Sequence, residues 1–442
     1  MARGNNMKKS VWSEQTTLNE FEKLDSDIKT DVLIIGGGIC GILCAHILKE
    51  AGVSYVLAEG KRIASGITKN TTAKITSQHS LIYDSLIKQF GSEKALMYLR
   101  SNEEACKEYE RLCQSINCDY EKKNAYSYSI LDRSKIEAEV RAVNSLGFDA
   151  HFVTKPELPF DTAGAVCFDN QAQFNPLKFI NNIVKDMNIY EKTYVQRIEN
   201  GVAITPNGKI KAEKIIVATH FPFINSHGAY FLKLYQHRSY VAAYENAGEI
   251  DAMYVDEDKK GMSFRQYGNL LLAGGGGHRT GKKGGCWDEI DHEVKKHYPR
   301  AKLKYQWAAQ DCMSLDGVPY IGEYSKNTPT IYVASGFNKW GFSSSMAAAK
   351  ILCDMITGKK NEYAPVYSPQ RSILKPQLFV NGFEATANLL NPSIKRCPHL
   401  GCTLKWNSAE KSWDCPCHGS RFEEDGKLID NPAMKDAQIT ED

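Results

Sequence analysis

Two groups of residues in this chain have the types and spacing to do chemistry. The first is Gly36, Gly38 and Gly41 in G-x-G-x-x-G order, enclosing Ile39 and followed downstream by Glu59. Glycine permits a tight turn, close approach of backbone to a pyrophosphate and close packing of helix on strand. A helix starting at such a turn offers unpaired N–H groups and its positive end to phosphates. A carboxylate such as Glu59 accepts hydrogen bonds from ribose hydroxyls. The chemistry is dinucleotide binding, and this motif alone does not separate NAD from FAD. The second group is Cys397-x-His399 and Cys415-x-x-His418, with Cys402 and Cys417 beside them. Two thiolates and two imidazoles suit either tetrahedral zinc or a [2Fe–2S] centre with histidines on one iron.

The elements that must position these residues follow from periodicity. Residues 32–35 are an apolar run that reads as a buried parallel strand. Ile42, Leu43, Ala45, Ile47 and Leu48 follow at helical spacing, Gly52 stops the helix, and residues 55–58 make a second strand ending at Glu59. This predicts an α/β, Rossmann-type nucleotide-binding domain. Residues 80–160 leave that pattern. Helices expected near 92–117 and 133–146 flank alternating Tyr126, Tyr128 and Ile130, a natural lid or substrate domain. The first domain resumes near 169–184, where Asn175 is a good helix N-cap with Pro176 at the first helical position. The pairs Asn200-Gly201 and Asn207-Gly208 predict hairpins, and residues 215–219 a further strand. Strands are then expected at 234–244, 262–266 and 270–273. The glycines 274–277 are followed by HRTGKKGG rather than an amphipathic helix, so a tight turn is predicted there and not a second nucleotide site. That argues against an NAD(P)H reductase. Pro365, Pro369 and Pro376 mark a linker to the cysteine-rich tail.

Composition bounds the rest. At 442 residues the chain has room for two or three domains. A charged fraction of 24%, an apolar fraction of 42% and a net charge of +3 describe a globular protein without the basic stripe of a nucleic-acid binder. No apolar run approaches the roughly 20 residues of a membrane helix. Lys8 and Lys9 have no apolar segment behind them, so the expectation is a cytoplasmic protein without a signal peptide. Of 13 cysteines, Cys106 and Cys113 fall on the apolar face of a helical pattern, and four crowd into the tail.

Glu59 followed by Arg62, Gly66, Thr68 and the run Thr71-Thr72-Ala73-Lys74 resembles the flavin-binding arm of the D-amino acid oxidase and glycine oxidase superfamily. Trp307, Asp316, Pro319 and Gly322 match that family's motif at the end of its substrate domain, and residues 363–371 resemble its closing segment. The resemblance spans about 30–371 and implies FAD. Its binding residues would be Gly36, Gly38, Ile39, Gly41, Glu59, Arg62, Thr71, Thr72 and Ala73 in the first segment, and Ile198 and Thr219 in the second. Gly336, Trp340, Gly341 and Phe342 would follow at a helix whose positive end faces the flavin pyrimidine. No catalytic acid or base stands out; Lys74, His79, Tyr240 and Arg265 are candidates by proximity to these motifs. The implied layout is a lead-in at 1–29, an FAD domain at 30–80, 161–225 and 326–371, an interleaved α+β substrate domain at 81–160 and 226–325, and a linker with a small all-β module at 372–442.

In the tail, Pro416, Gly419, Ser420 and the extra cysteines resemble Rieske [2Fe–2S] proteins of the quinol-oxidising type. The resemblance implies Cys397 and Cys415 on one iron, His399 and His418 on the other, and a disulfide between Cys402 and Cys417. Ser420 would hydrogen-bond toward the cluster. Phe422 replaces the respiratory members' tyrosine, which implies a lower potential than theirs. Few residues precede Cys397, so the module is cut down and its cluster expected to be labile. The combined resemblance implies an FAD-dependent oxidoreductase that takes a hydride from a small amine or amino acid and passes electrons through the Rieske centre to an external acceptor. An electron-transfer protein without its own substrate would lack a closed pocket over the flavin. A redox sensor would show a redox-dependent partner and no turnover.

Overall fold

The computed structural model describes residues 9–258 and 261–439; residues 1–8 of the expected lead-in, 259–260 of the substrate segment and 440–442 of the tail lie outside them. Val32, Leu33, Ile34 and Ile35 are all buried, as a strand covered on both faces requires. Their strand, Ile28–Ile35, lies between Tyr55–Ala58 and Gly208–Val217 and pairs with both in parallel. Ile331–Ser335 extends the parallel order on one side and Ile189–Tyr190 on the other, while Tyr320–Glu323 closes one edge antiparallel. Both N-G pairs turn hairpins: Arg197–Glu199 pairs with Val202–Thr205, and that strand with Gly208–Val217. Helices Ile39–Glu50 and Gly341–Ile356 pack against one another over this sheet. Leu43, Leu48, Met346 and Leu352 are fully buried there, and each contributes about 1.5–3 kcal/mol.

A nine-stranded sheet forms the second layer, in the order Lys302–Ser314, Leu234–Glu245, Leu270–Arg279, Ser263–Tyr267, Met253–Asp256, Glu121–Ser129, Gly164–Gln173, Lys74–Ile75, with His151–Val153 beside Gly164–Gln173. Two sequence expectations change here. Residues 164–173, expected with the nucleotide-binding segment, belong to this sheet: the strand pairs with Glu121–Ser129 and is buried at all but Asp169 and Asn170. Glycines 274–277 make no turn; they lie inside Leu270–Arg279. A Cβ at Gly275 would sit 2.5 Å from Met262 Sδ, and one at Gly276 (φ +58°) 2.0 Å from the Cys286 carbonyl oxygen. The glycines therefore let helix Cys286–His297 and the neighbouring strand close on the sheet. The two predicted helices are Ser92–Cys113, shorter than expected at its C-terminal end, and Arg133–Ser145.

The lead-in, expected to be polar and partly ordered, is packed on the body over its described part. Helix Val11–Gln15 buries Val11 and Trp12, and Trp12 Nε1 donates to the Thr71 carbonyl at 2.8 Å. Its ring stands edge-on to Tyr267 at 4.6 Å. The linker is helical as well: Pro376–Leu390 begins with proline at its first turn. That helix buries Asn381 and Asn388 and turns Phe379 and Phe383 outward, at 72% and 73% exposure. Beyond it, Lys405–Asn407, Ser412–Asp414, Arg421–Phe422 and Leu428–Asp430 form a four-stranded antiparallel sheet. Among the described residues, no helix is long and apolar enough to cross a membrane.

Candidate functional site

A cavity of about 1000 Å³ is lined from both large sheets. Strand Ile28–Ile35 ends at Gly36, whose φ of +112° suits glycine, and helix Ile39–Glu50 starts behind Gly38, its first N–H donating to Thr68 Oγ1 at 3.1 Å. Gly41 stands behind the lining: a Cβ there would fall 1.9 Å from the Gly36 carbonyl oxygen, so the helix meets the turn at backbone contact. Glu59 clamps this turn, accepting from Gly37 N and Lys61 N at 2.7 Å each. Burial raises its pKa, and those two N–H groups pull it back. Arg62 lines the cavity while pairing with buried Glu191 at 2.6 Å.

Thr71, Thr72, Thr219, Trp340, Gly341 and Phe342 also line the cavity; Ala73, Ile198 and Gly336 do not. Ile198 is carried away by the hairpin that starts at Arg197, and Thr193, Tyr194 and Val195 line the cavity instead. Gly336 ends its strand at φ +75°, behind the loop that brings Trp340 forward. Ala73 is fully buried beneath the arm, where its carbonyl and that of Thr72 accept from Arg265 Nη1 at 2.7 and 2.8 Å. Arg265 therefore props the arm and does not face the cavity; it lies farther along the strand than Ser263, which does.

The other catalytic candidates do reach the cavity. Both His79 nitrogens are engaged, Nδ1 with Tyr98 Oη at 2.6 Å and Nε2 with Ser343 Oγ at 2.8 Å. Burial lowers its pKa to about 3, so it is a neutral prop stacked on Trp340 at 5.1 Å. Tyr240 shares a hydrogen bond with His278 at 2.9 Å. Burial first, and the Arg265 charge second, lower Lys74 to about 7. Glu257, which sequence reasoning missed, also lines the cavity; burial raises it to about 7, and its Oε1 has no partner. The donor set fits a flavin dinucleotide: a glycine turn at a helix start, an acid at the second strand, and a second helix start at Gly341 that no side chain caps, with Ser345 Oγ buried and unpartnered.

The tail brings its four predicted ligands together in two matching loops. Cys397 N donates to Cys402 O and Gly401 N to Cys397 O; Cys415 N donates to Ser420 O and Gly419 N to Cys415 O. Gly401 and Gly419 turn these loops at φ +81° and +83°. Cys397 and Cys415 are buried and lie within hydrogen-bond reach of each other. The His399 and His418 rings are 5.0 Å apart, and both Nδ1 atoms are buried without a partner. Orphaned imidazole nitrogens beside two free thiols fit a centre with two cysteine and two histidine ligands. Cys415 also lies within 4.8 Å of Cys402 and Cys417, but these two are bonded to each other and offer no thiolate.

Residues 31–355 match the family described as FAD dependent oxidoreductase. The chain belongs to that family. Residues 389–441 match the Rieske [2Fe-2S] domain, so FAD and a [2Fe–2S] cluster are its cofactors. The chain is 32% identical to YhfW of Bacillus subtilis, by name a Rieske 2Fe-2S iron-sulfur protein, over 96% of each chain. It is 22% identical to gamma-glutamylputrescine oxidoreductase of Escherichia coli, over 78% of this chain and 87% of that one. Glycine oxidase from Geobacillus kaustophilus shares the fold with a TM-score of 0.67 at 18% identity, over 78% of this chain and 99% of its own. The protein is thus an FAD-dependent oxidoreductase carrying a Rieske domain.

The Rieske domain is braced against the oxidoreductase body by buried ion pairs and a hydrogen bond. Buried Glu410 pairs with Arg238 of the body and with Arg421 of the tail at 2.8 Å, and Arg421 reaches Asp414 at 3.0 Å. Gln310 donates to the Gly419 carbonyl at 2.7 Å. Ser420 Oγ accepts from Ala433 N at 3.0 Å, which leaves its proton for the Cys397 sulfur. Such a bond stabilises the more negative, reduced cluster. Ser420→Ala is therefore expected to lower the cluster potential by about 40 mV, the one-electron equivalent of a hydrogen bond of about 1 kcal/mol. A spectroscopic redox titration of the iron-loaded variant checks this; an unchanged potential would remove the bond from consideration.

Proposed function

We propose that the protein oxidises a small amine or amino acid at a C–H bond by hydride transfer to FAD, and that electrons leave through the Rieske centre to an external acceptor. One observation carries this reading. The two cluster imidazoles pack edge-on against Phe221, at 6.4 Å from His399 and 6.1 Å from His418, and Phe221 directly follows the lining residues Thr219 and His220. His399 Nε2 also meets Asn225 Oδ1 at 3.1 Å. The imidazole edge thus rests on the wall of the flavin cavity. Bound FAD supplies a two-electron acceptor at N5, and the [2Fe–2S] centre a one-electron carrier.

The chain's own residues do the rest. Gly36, Gly38 and Glu59 hold the nucleotide half, and the helix starting at Gly341 offers its positive end to the ring. Trp340, fixed by His79, closes one side of the cavity and excludes water. The cavity continues to Lys74, Glu257 and Ser263, which supports an organic substrate of the protein's own. Neutral Lys74 takes a proton from the substrate ammonium, leaving the free amine from which hydride loss is easiest.

Anaerobic mixing with a panel of amines and amino acids tests the reading. Bleaching of the flavin band followed by the signal of reduced cluster is expected; bleaching by none of them would favour electron transfer without a substrate. A pH profile tests Lys74. A buried lysine lowered to about 7 is protonated below that pH and free to accept a proton above it. The rate of flavin reduction should therefore climb roughly tenfold per unit at the acid end and level off above about 7. In Lys74→Met the limb should vanish and the rate fall by about 10²–10⁴. An unaltered limb would assign the proton transfer elsewhere.

A further inference from the structure

The Rieske tail contributes a wall to the flavin cavity itself. Ile429, Asp430, Asn431 and Met434 line it together with Gly36, Glu59 and Tyr194. This segment is tied down on the body side at each step. Lys61 Nζ donates to the Ile429 carbonyl at 2.7 Å. Asn431 Nδ2 donates to the carbonyls of Thr219 and Phe221 at 3.1 and 3.0 Å. Tyr194 Oη meets Met434 Sδ at 3.1 Å, and its ring lies so close to Gly60 that a Cβ there would be 2.7 Å from Cδ2. On its other side the segment is anchored to the cluster module. Asp430 pairs with Arg421 at 3.1 Å, and Ala433 N bonds Ser420 Oγ, whose backbone carbonyl holds Cys415 N. A short chain of bonded residues therefore runs from a cluster ligand to the wall facing the glycine turn.

We propose that residues 429–434 form the outer wall of the nucleotide half of the FAD site, so that cluster assembly and FAD retention stabilise each other. The proposal rests on the assignment of FAD to this cavity and not on the identity of the substrate. Met434 and Tyr194 offer a thioether and an aromatic face suited to a purine, and Asn431 latches the wall shut. Coupling between the two sites is reciprocal: whatever factor the cluster adds to FAD affinity, FAD adds to cluster retention.

The test uses the full chain and no turnover. Deflavo protein is titrated with FAD, following quenching of flavin fluorescence, for wild type, Asn431→Ala and the exposed tail variant Glu424→Ala. Asn431→Ala, with its iron content intact, is expected to raise the FAD dissociation constant about tenfold, the equivalent of one hydrogen bond of about 1.4 kcal/mol; Glu424→Ala should match wild type. Competition of a chelator for the iron of wild type, taken to equilibrium with and without FAD, gives the reciprocal measurement and requires no variant to fold. FAD should raise the chelator concentration that strips half of the iron about tenfold. Iron retention indifferent to FAD would overturn the proposal, as would equal FAD affinity in Asn431→Ala and wild type. Failure of every amine to reduce the flavin would leave both readouts standing, so the two readings fail separately.

Discussion

Gly41→Ala is expected to yield a protein without flavin. The added methyl would fall 1.9 Å from the Gly36 carbonyl oxygen and 3.3 Å from Ile34 Cγ2, with backbone on the nearer side. Backbone cannot rotate away as a side chain can. Helix Ile39–Glu50 must therefore slide off the strand end, taking the Gly36–Gly38 turn with it. Overpacking of this kind costs about 3 kcal/mol, and it displaces the N–H groups that face the phosphates. The expected result is loss of the flavin visible band from purified protein and a thermal midpoint lower by several degrees, with the iron–sulfur absorbance retained. A variant that keeps stoichiometric FAD would show that the turn does not hold the dinucleotide.

His418→Ala should remove the other chromophore. The ring supplies one of two buried, otherwise unpartnered Nδ1 atoms at the paired loops. Without it the second iron is left with one protein nitrogen, and the tail's own core is too small to hold the loops by packing alone. That core consists of residues such as Leu404, Phe422 and Ala433 over four short strands. Iron is expected to fall from two per chain to near zero, with loss of the reduced-cluster signal. The body should still fold, because its cores are separate from that of the tail. The Cys402–Cys417 bond closes a separation of 15 residues and contributes about 3 kcal/mol, so the tail should stay compact though unloaded. Full iron occupancy in this variant, or zinc in place of iron in the wild type, would discard the assignment.

Much of this was legible before any coordinates. Gly36, Gly38, Gly41 and Glu59 are readable because one short strand–helix–strand unit carries the whole demand, and each residue's role follows from local backbone chemistry. The tail's candidate ligands are readable for the same reason: Cys397, His399, Cys415 and His418 sit in two compact loops. Expectations failed where a residue's role is set by a distant partner. Arg265 looked like a candidate for the chemistry, yet its guanidinium is spent on the Thr72 and Ala73 carbonyls. Glycines 274–277 read as a turn because local propensity cannot see helix Cys286–His297 pressing on the strand. Trp12, in a stretch that reads as a polar, partly ordered lead-in, is buried against the flavin arm.

The amino-acid sequence alone determined the two cofactor motifs and the Rossmann-type core, because those depend on periodicity and on spacings of a few residues. Tertiary structure alone decided that Phe221 meets the cluster histidines, that Glu257 and Lys74 share a cavity, and that residues 429–434 close it. Those contacts join positions far apart in the chain, where no repeat or local pattern is left to read. They exist only once burial and hydrogen bonding have brought the tail onto the body.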